Sequence, residues 1–501
     1  MLILFKYLKL AVWSGIYYLQ ENKSETIFNI IVKNIHNCGC VTIKFTQWLL
    51  PKIEVLYDID VDKKENKWFL ELEKMYDNCN IHSIEYTKKL YKEEFRNEID
   101  CDYTVDGVIA SGSIGQVYKV KNNIDKKYYA MKVLHPNVDK ELSYVYCILL
   151  LLYNLPIINN IIKYYIPIDI KTFIEDFKVQ TNLINEGNNC IHFRHHLNGD
   201  KCYIVPTVYK MSKKILIMSY EEGKSFDKLD VSDYTRSKII AIIKLFIKSN
   251  QYSHRLHHGD MHKGNWKVRF TKDNIPQIVI YDYGFCWKMP KHLESTEVQL
   301  SIDRAFILPI DNIEKYSKAC QILLNERTSL ENIEIIVKDL INIDKISYQD
   351  PIFLIKLIIR CCRNDNYLID SFIFQSIIIH TQLTKNIEKY ITTKRGDDGR
   401  SYYYGKEILD LINICDTYDI CNTYKDILKI ESDKYSEKSL FNNSSIKLNN
   451  MEYLKKRAIN PQPEKKACST PGCDAPGHMV HANGRCNKDA QLSEEYKSYF
   501  S

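Results

Sequence analysis

His258-Gly259-Asp260-Met261-His262-Lys263-Gly264-Asn265 is followed, seventeen positions after Asn265, by Asp282-Tyr283-Gly284. Two acids and an amide at this spacing, in short strings punctuated by glycine, suit phosphoryl-transfer chemistry. One carboxylate orients an attacking hydroxyl or water. The amide and the second carboxylate hold the magnesium ions that neutralise charge on the phosphates. Asp260 is the candidate catalytic residue, and Asn265 and Asp282 are the candidate magnesium ligands. The bland alternative is a surface loop with a chance collection of His, Asp and Asn. Two such strings in this order make it the poorer reading.

An upstream half then follows from the same logic. Ala110-Ser111-Gly112-Ser113-Ile114-Gly115-Gln116-Val117 fits the protein-kinase pattern G-x-G-x-x-G-x-V at Gly112, Gly115 and Val117, with Ala110 in place of the first glycine. Small residues let a hairpin tip lie over phosphates and point backbone N–H groups at oxygens. Ala110, Gly112, Ser113, Gly115 and Val117 are therefore candidate nucleotide-binding positions. After a turn at Asn122 to Asp125, Tyr129-Ala130-Met131-Lys132-Val133 resembles the V-A-I-K strand whose lysine holds the phosphates. Alternation puts Ala130 and Lys132 on one face, Met131 and Val133 on the other.

Lys132 needs a carboxylate partner to be fixed and charged. Glu186, in a helical stretch from Lys171 to His196, is the candidate; an ordinary surface glutamate is the alternative. Cys202 to Tyr209 and Lys214 to Tyr220 read as strands. Glu221-Glu222-Gly223 reads as a hinge between two lobes, with Glu221 near an adenine, or else as plain solvated loop.

On these motifs the chain resembles the UbiB family of atypical kinases, the ADCK-type, coenzyme-Q-associated kinase-like proteins. Lys44-Phe45-Thr46-Gln47 resembles that family's K-x-G-Q marker, and residues 110–117 its A-A-A-S-I-G-Q-V loop. Tyr129 to Val138 resembles V-A-V-K-V-x-x-P-G-V, and residues 258–265 resemble H-A-D-P-H-P-G-N. The resemblance implies a two-lobed, α+β, protein-kinase-like fold and a nucleotide (ATP or ADP) with Mg²⁺ as cofactors. It also implies a lid, carried by Lys44 and Gln47, that lies across the place where a protein substrate would bind.

Departures from the pattern fall on that lid. The family's E-x-D triplet stands six residues ahead of the helix glutamate, where this chain has Gln180-Thr181-Asn182. Two amides in place of two carboxylates weaken pairing with Lys44 but keep hydrogen bonding. Thr46 for glycine crowds a tight turn. No A-P-E segment follows Asp282-Tyr283-Gly284, so a usual protein-substrate groove is not expected.

The chain of 501 residues has 45% hydrophobic content and a net charge of +6, from 69 Lys+Arg against 63 Asp+Glu. That is globular, and too mild for a committed nucleic-acid binder of this size. Sixteen scattered cysteines with no signal cleavage site read as reduced, intracellular thiols. No segment reads as a membrane span. Residues 1–19 are apolar but carry Lys6 and Lys9. They suit a helix packed on the lobes, or a peripheral membrane contact with Trp13, Tyr17 and Tyr18 at the interface. Cys147 to Ile162 reads as a buried helix-turn-helix.

The expected organisation is a helical extension over 1–98, a small lobe over 99–222, a helical lobe over 223–450, and a linker and tail over 451–501. In the tail, Cys468, Cys473, His478, His481 and Cys486, set among Pro-Gly and Asn-Gly turns, form a candidate Zn²⁺ site; a cysteine-bearing tail without metal is the alternative. Three functions stay open. One is a UbiB-type ATP-dependent phosphotransferase or ATPase with an unassigned protein, lipid or small-molecule acceptor. The second is a small-molecule kinase of the aminoglycoside or choline kinase kind, and the third a nucleotide-binding pseudokinase scaffold.

Overall fold

The structure, a computed structural model, describes residues 2–20, 24–56, 71–72, 81–156, 159–160, 170–307, 313–344, 352–370, 372–379 and 412–416, with 425, 426 and 429. Its frame is a small lobe built on alternation. Tyr103–Ser111 (β1), Gly115–Asn122 (β2), Tyr128–Leu134 (β3), Val208–Met211 (β5) and Ile215–Ser219 (β6) form a five-stranded sheet in the order β1-β2-β3-β6-β5, every neighbouring pair antiparallel. Between β3 and β5 in sequence, Tyr203–Ile204 (β4) leaves this sheet and pairs in parallel with Pro276–Ile280 (β9). Along β2 and β3 every second side chain (Tyr118, Val120, Tyr129, Met131, Val133) enters one apolar core. Each such burial contributes about 1.5–3 kcal/mol. That core is closed by Leu90 and Tyr91 of the helix Ile84–Phe95, which Ser83 caps through its side chain. Residues 84–95 therefore belong with the small lobe, and the boundary expected near residue 99 lies too far along the chain. The opposite face of β3 carries Ala130 and Lys132.

The single helix expected from Lys171 to His196 is two: Ile170–Gln180 and Leu183–His196. Asn182 takes an extended conformation, and its side chain accepts from the Ile184 N–H at 3.2 Å, capping the second helix. The Thr181 hydroxyl donates back to the Lys178 carbonyl at 2.8 Å. Short polar side chains that bond the backbone locally end helices in this way.

In the large lobe, helix Asp233–Ser249 leads into Leu256–His258 (β7), which pairs with Cys286–Lys288 (β10). Trp266–Phe270 (β8) pairs with β9. The string 259–265 thus links β7 to β8, and 281–285 links β9 to β10. Both loops emerge from small antiparallel ladders that share a corner, so the two strings meet. Helices Thr296–Ile307, Ile313–Leu323, Leu330–Asn342 and Ile352–Asn364 follow in the described part of this lobe.

Ahead of the lobes stand Leu2–Leu19 (α1), Glu25–Cys38 (α2) and Cys40–Leu56 (α3). Val41 and Trp48 of α3 share one core with Ile114 of the hairpin tip, Leu142, and Met289 and Leu293 of the large lobe. The extension is thereby wedged against both lobes. Trp13 and Tyr17 pack inward, with Tyr17 5.9 Å from Phe28, so these two do not form an outward aromatic face. Among its described residues α1 exposes the large apolar side chains Phe5, Leu8, Val12, Ile16 and Leu19. Helix Val138–Tyr153 exposes Tyr144, Cys147 and Leu151, so the segment from Cys147 is not the buried element expected. Among the described residues no helix is long and apolar enough to cross a membrane.

Candidate active site

Lys132 stands on the cleft face of β3, and Glu186 lies in the first turn of the helix Leu183–His196. The Lys132 Nζ donates to both Glu186 oxygens at 2.8 Å and to the Asp282 Oδ1 at 3.2 Å. The side chains of Lys132 and Glu186 are 8% and 2% exposed, which makes this a desolvated pair. Burial opposes charge on Lys132, but Asp282 and Glu186 together raise its pKa above the ordinary lysine value. Burial pushes Glu186 up to about 7 against the pull of Lys132. Asp282 goes the other way. Burial raises it, yet Lys132 and Lys44 outweigh burial and hold it well below the usual carboxylate range. It takes a left-handed backbone, φ 52°, and its Oδ1 also accepts from the Gly284 N–H at 3.2 Å.

Asp260 sits in the β7–β8 loop. The Asn265 Nδ2 donates to the Asp260 backbone carbonyl at 2.8 Å, closing the loop on itself. His258 fixes its entry. A carbonyl can only accept, so the His258 Nε2 carries the proton it donates to Tyr281 O at 3.1 Å. Its Nδ1 is then free to accept from the Asp260 N–H at 3.3 Å. This imidazole ties the two strings together. Burial, the largest influence, lowers its pKa and keeps it neutral. The Lys44 Nζ lies 3.3 Å from Asp260 Oδ2, and His262 Nε2 lies 3.7 Å from Oδ1. Burial raises the Asp260 pKa, but Lys44 first and His262 next bring it below the usual value.

Lys132, Glu186, Asp260, Asn265 and Asp282 therefore form one cluster, linked by hydrogen bonds and by charge contacts between Asp260, Asp282 and the lysines. Glu221 accepts from the Arg269 Nη1 at 2.9 Å and from the Ser219 hydroxyl at 2.9 Å. Its backbone carbonyl accepts from the Tyr281 hydroxyl at 2.8 Å. Glu221 is thus fastened to the residue preceding Asp282. Ala110 is the last residue but one of β1 and pairs with Val117, Ser113 is buried, and Val117 pairs with Lys132 across β2–β3. Gly115 is required by contact: a Cβ there would stand 2.8 Å from the Val133 carbonyl oxygen.

Residues 74–304 match the family model described as the ABC1 atypical kinase-like domain. They are an ABC1 atypical kinase-like domain. Curated relatives of the chain include a probable serine/threonine-protein kinase abkC of Dictyostelium discoideum. It is 25% identical over 262 residues, covering 50% of this chain and 36% of the relative. A probable protein kinase UbiB of Shewanella sp. is 26% identical over 301 residues, covering 56% of this chain and 51% of the relative. A solved structure titled as a complex of Rv3197 with erythromycin, from Mycobacterium tuberculosis, aligns with a TM-score of 0.40 at 15% identity. It covers 62% of this chain and 83% of that one. The chain thus spans a third to a half of the length of these curated relatives. The UbiB/ADCK resemblance read from the motifs holds, with its kinase-like α+β fold.

Two features of the segment expected to form a lid, which precedes the matched residues 74–304, differ from expectation. Lys44 and Gln47 lie on α3, and Thr46 donates its hydroxyl to the Thr42 carbonyl four residues back at 2.9 Å. Thr46 therefore sits in a helix and crowds no turn. Lys44 turns to Asp260, while Thr181 and Asn182 serve the helix junction. Sequence reasoning missed that contact, as well as the seat of α3. There the Glu141 carboxylate accepts from the Cys40 N–H at 3.0 Å, opposite Gly39 at φ 108°. A lysine in one motif and an aspartate over two hundred positions later carry no mutual sequence signal. Cys468, Cys473, His478, His481 and Cys486 lie outside the described residues.

Proposed function

We propose that the cleft binds a magnesium–nucleotide and that the chain is an ATP-dependent phosphotransferase or ATPase. The observation that carries this reading is the convergence of Lys132, held bidentately by Glu186, with Asp282, Asp260 and Asn265. The donor set suits the group. Two carboxylates and an amide are hard oxygen donors of the kind Mg²⁺ takes, and Asn265 spends its Nδ2 on the Asp260 carbonyl, leaving its amide oxygen. Asn265 and Asp282 would hold Mg²⁺, which would neutralise phosphate charge. Lys132 would grip phosphate oxygens, and Glu186 fixes its ammonium in place. Asp260, kept ionised by Lys44 and His262, would orient the attacking hydroxyl or water. The Lys44–Asp260 pair favours a second reading, a nucleotide-binding scaffold, because a cation already occupies the carboxylate that chemistry would use.

Mg·ATP turnover and thermal melting of wild type and Asp260→Asn separate the two. The enzyme reading expects both proteins to be stabilised by Mg·ATP and turnover to fall by roughly 10²–10⁴ in the variant. Equal turnover in both removes Asp260 from its role. Stabilisation without turnover in wild type selects the scaffold. No stabilisation in wild type ends the nucleotide reading.

A further inference from the structure

A directional chain of hydrogen bonds ends on the hairpin tip, and its polarity is fixed by chemistry. His135 Nε2 lies 3.0 Å from the Gly112 carbonyl oxygen. The carbonyl can only accept, so Nε2 carries the proton. Burial holds His135 below the ordinary histidine pKa, and burial with the neighbouring His135 lowers His82 to about 4, so both rings are neutral near pH 7. A neutral ring has one N–H, so the His135 Nδ1 accepts. The atom facing it at 2.9 Å is the His82 Nδ1, which must donate. The His82 Nε2 then accepts from the Thr87 hydroxyl at 3.0 Å, and that hydroxyl can accept from the Tyr118 hydroxyl at 2.9 Å. Every link has one consistent direction, from Tyr118 to Gly112.

Two further contacts hold this chain against the tip. The His135 backbone N–H donates to the Ile114 carbonyl at 2.9 Å, so one residue grips two loop carbonyls. The Gln116 amide clamps the His82 backbone, accepting from its N–H at 2.9 Å and donating to its carbonyl at 3.4 Å. The consequence for the loop is stereochemical. The Gly112 carbonyl and the Ser113 N–H belong to one planar trans peptide and point in opposite directions. Drawing the carbonyl to His135 turns the Ser113 N–H away from the β3 corner. Gly112 is the tip position with the most backbone freedom, so an external clamp has the largest effect there.

We propose that His135 is a positioning residue for the nucleotide loop: by holding the Gly112 carbonyl it sets the peptide that presents the Ser113 N–H to a phosphate oxygen. His82 sets the tautomer that lets His135 do so. This rests on the nucleotide reading of the cleft. It makes affinity for the phosphate chain depend on two histidines that the kinase-type patterns do not include.

The test compares full-length wild type, His135→Phe, His135→Gln and His82→Phe. Three readouts are taken: Mg·ATP affinity by calorimetry, steady-state KM and kcat, and amide exchange of the peptide spanning 110–117 without nucleotide. His135→Phe keeps a ring and loses the donor. It is expected to speed exchange at the tip and weaken Mg·ATP about tenfold, the worth of about one hydrogen bond, with KM rising and kcat within about twofold. His135→Gln regains an N–H donor and recovers part of the affinity. His82→Phe frees His135 to exchange tautomers and gives a smaller loss in the same direction. If His135→Phe does not fold, His82→Phe, which leaves His135 in place, gives the same readouts. Unchanged exchange and affinity in a folded His135→Phe overturn the proposal. So does a fall in kcat alone. Absence of Mg·ATP binding by wild type fails the nucleotide reading instead, while exchange at the tip still reports whether the histidine chain clamps it.

Discussion

Replacing Lys132 with Met should turn a buried, doubly paired charge into an electrostatic fault. Lys132 is the counter-ion of Glu186 at two distances of 2.8 Å and of Asp282 at 3.2 Å, and Glu186 is 2% exposed. Removing one partner of a buried pair costs about 3–5 kcal/mol, since the other charge stays buried. Glu186 can escape only by taking a proton. Its folded pKa, already about 7 with Lys132 present, must rise further without it. A raised folded pKa gives stability that is present below the unfolded value and lost as pH rises through the folded one. Wild type should therefore level off above about pH 7, while Lys132→Met keeps falling by up to about 1.4 kcal/mol per pH unit, one proton's worth. Urea titrations of both proteins from pH 7 to pH 9 measure this slope. Adding Glu186→Gln to the variant should flatten it. A variant whose stability tracks wild type across that range would refute the claim that the pair is buried and mutually dependent.

Four further outcomes follow from the same geometry. Lys44→Met should move the acid limb of the kcat–pH profile upward, because Lys44 is the leading group holding the Asp260 pKa down; an unmoved limb would detach Lys44 from Asp260. Gly39→Ala places a Cβ against the Glu141 carboxylate at a positive φ, and should cost about 1–3 kcal/mol in thermal or urea unfolding. Tyr283 is 1% exposed and its hydroxyl has no hydrogen-bond partner among the described residues, so Tyr283→Phe should stabilise by about 1 kcal/mol in the same assay. Burial lowers His82 and His254 to about 4 and His257 to about 3, from 6.5. Lowered histidines favour the folded state above their unfolded value. Stability should accordingly fall as pH drops from about 6.5 towards 4, and a flat acid-side stability curve would contradict their burial.

Much of the small lobe was legible because its signal is local. Period-two alternation in 129–133 set Ala130 and Lys132 on one face and Met131 and Val133 on the other, and the core takes the second pair. Where the local signal was ambiguous the reading slipped. Apolar spacing from Lys171 to His196 suits one helix. The break appears only because Thr181 and Asn182 bond the backbone, a choice that short polar side chains make according to context. Helix Ile84–Phe95 read as part of the extension. Its partner is a sheet face formed by strands that begin later in the chain.

Sequence by itself determined which chemical groups stand at the proposed nucleotide site: an ammonium, an amide and carboxylates, at spacings that place them on loops and strand faces. That much follows because backbone periodicity is a property of neighbouring residues. Tertiary structure alone decided which polar groups meet. Lys44 neutralises Asp260 across more than two hundred positions, and His82 polarises His135 so that it grips Gly112. Such pairings depend on how helices and sheets pack against one another, through distances that no spacing along the chain encodes.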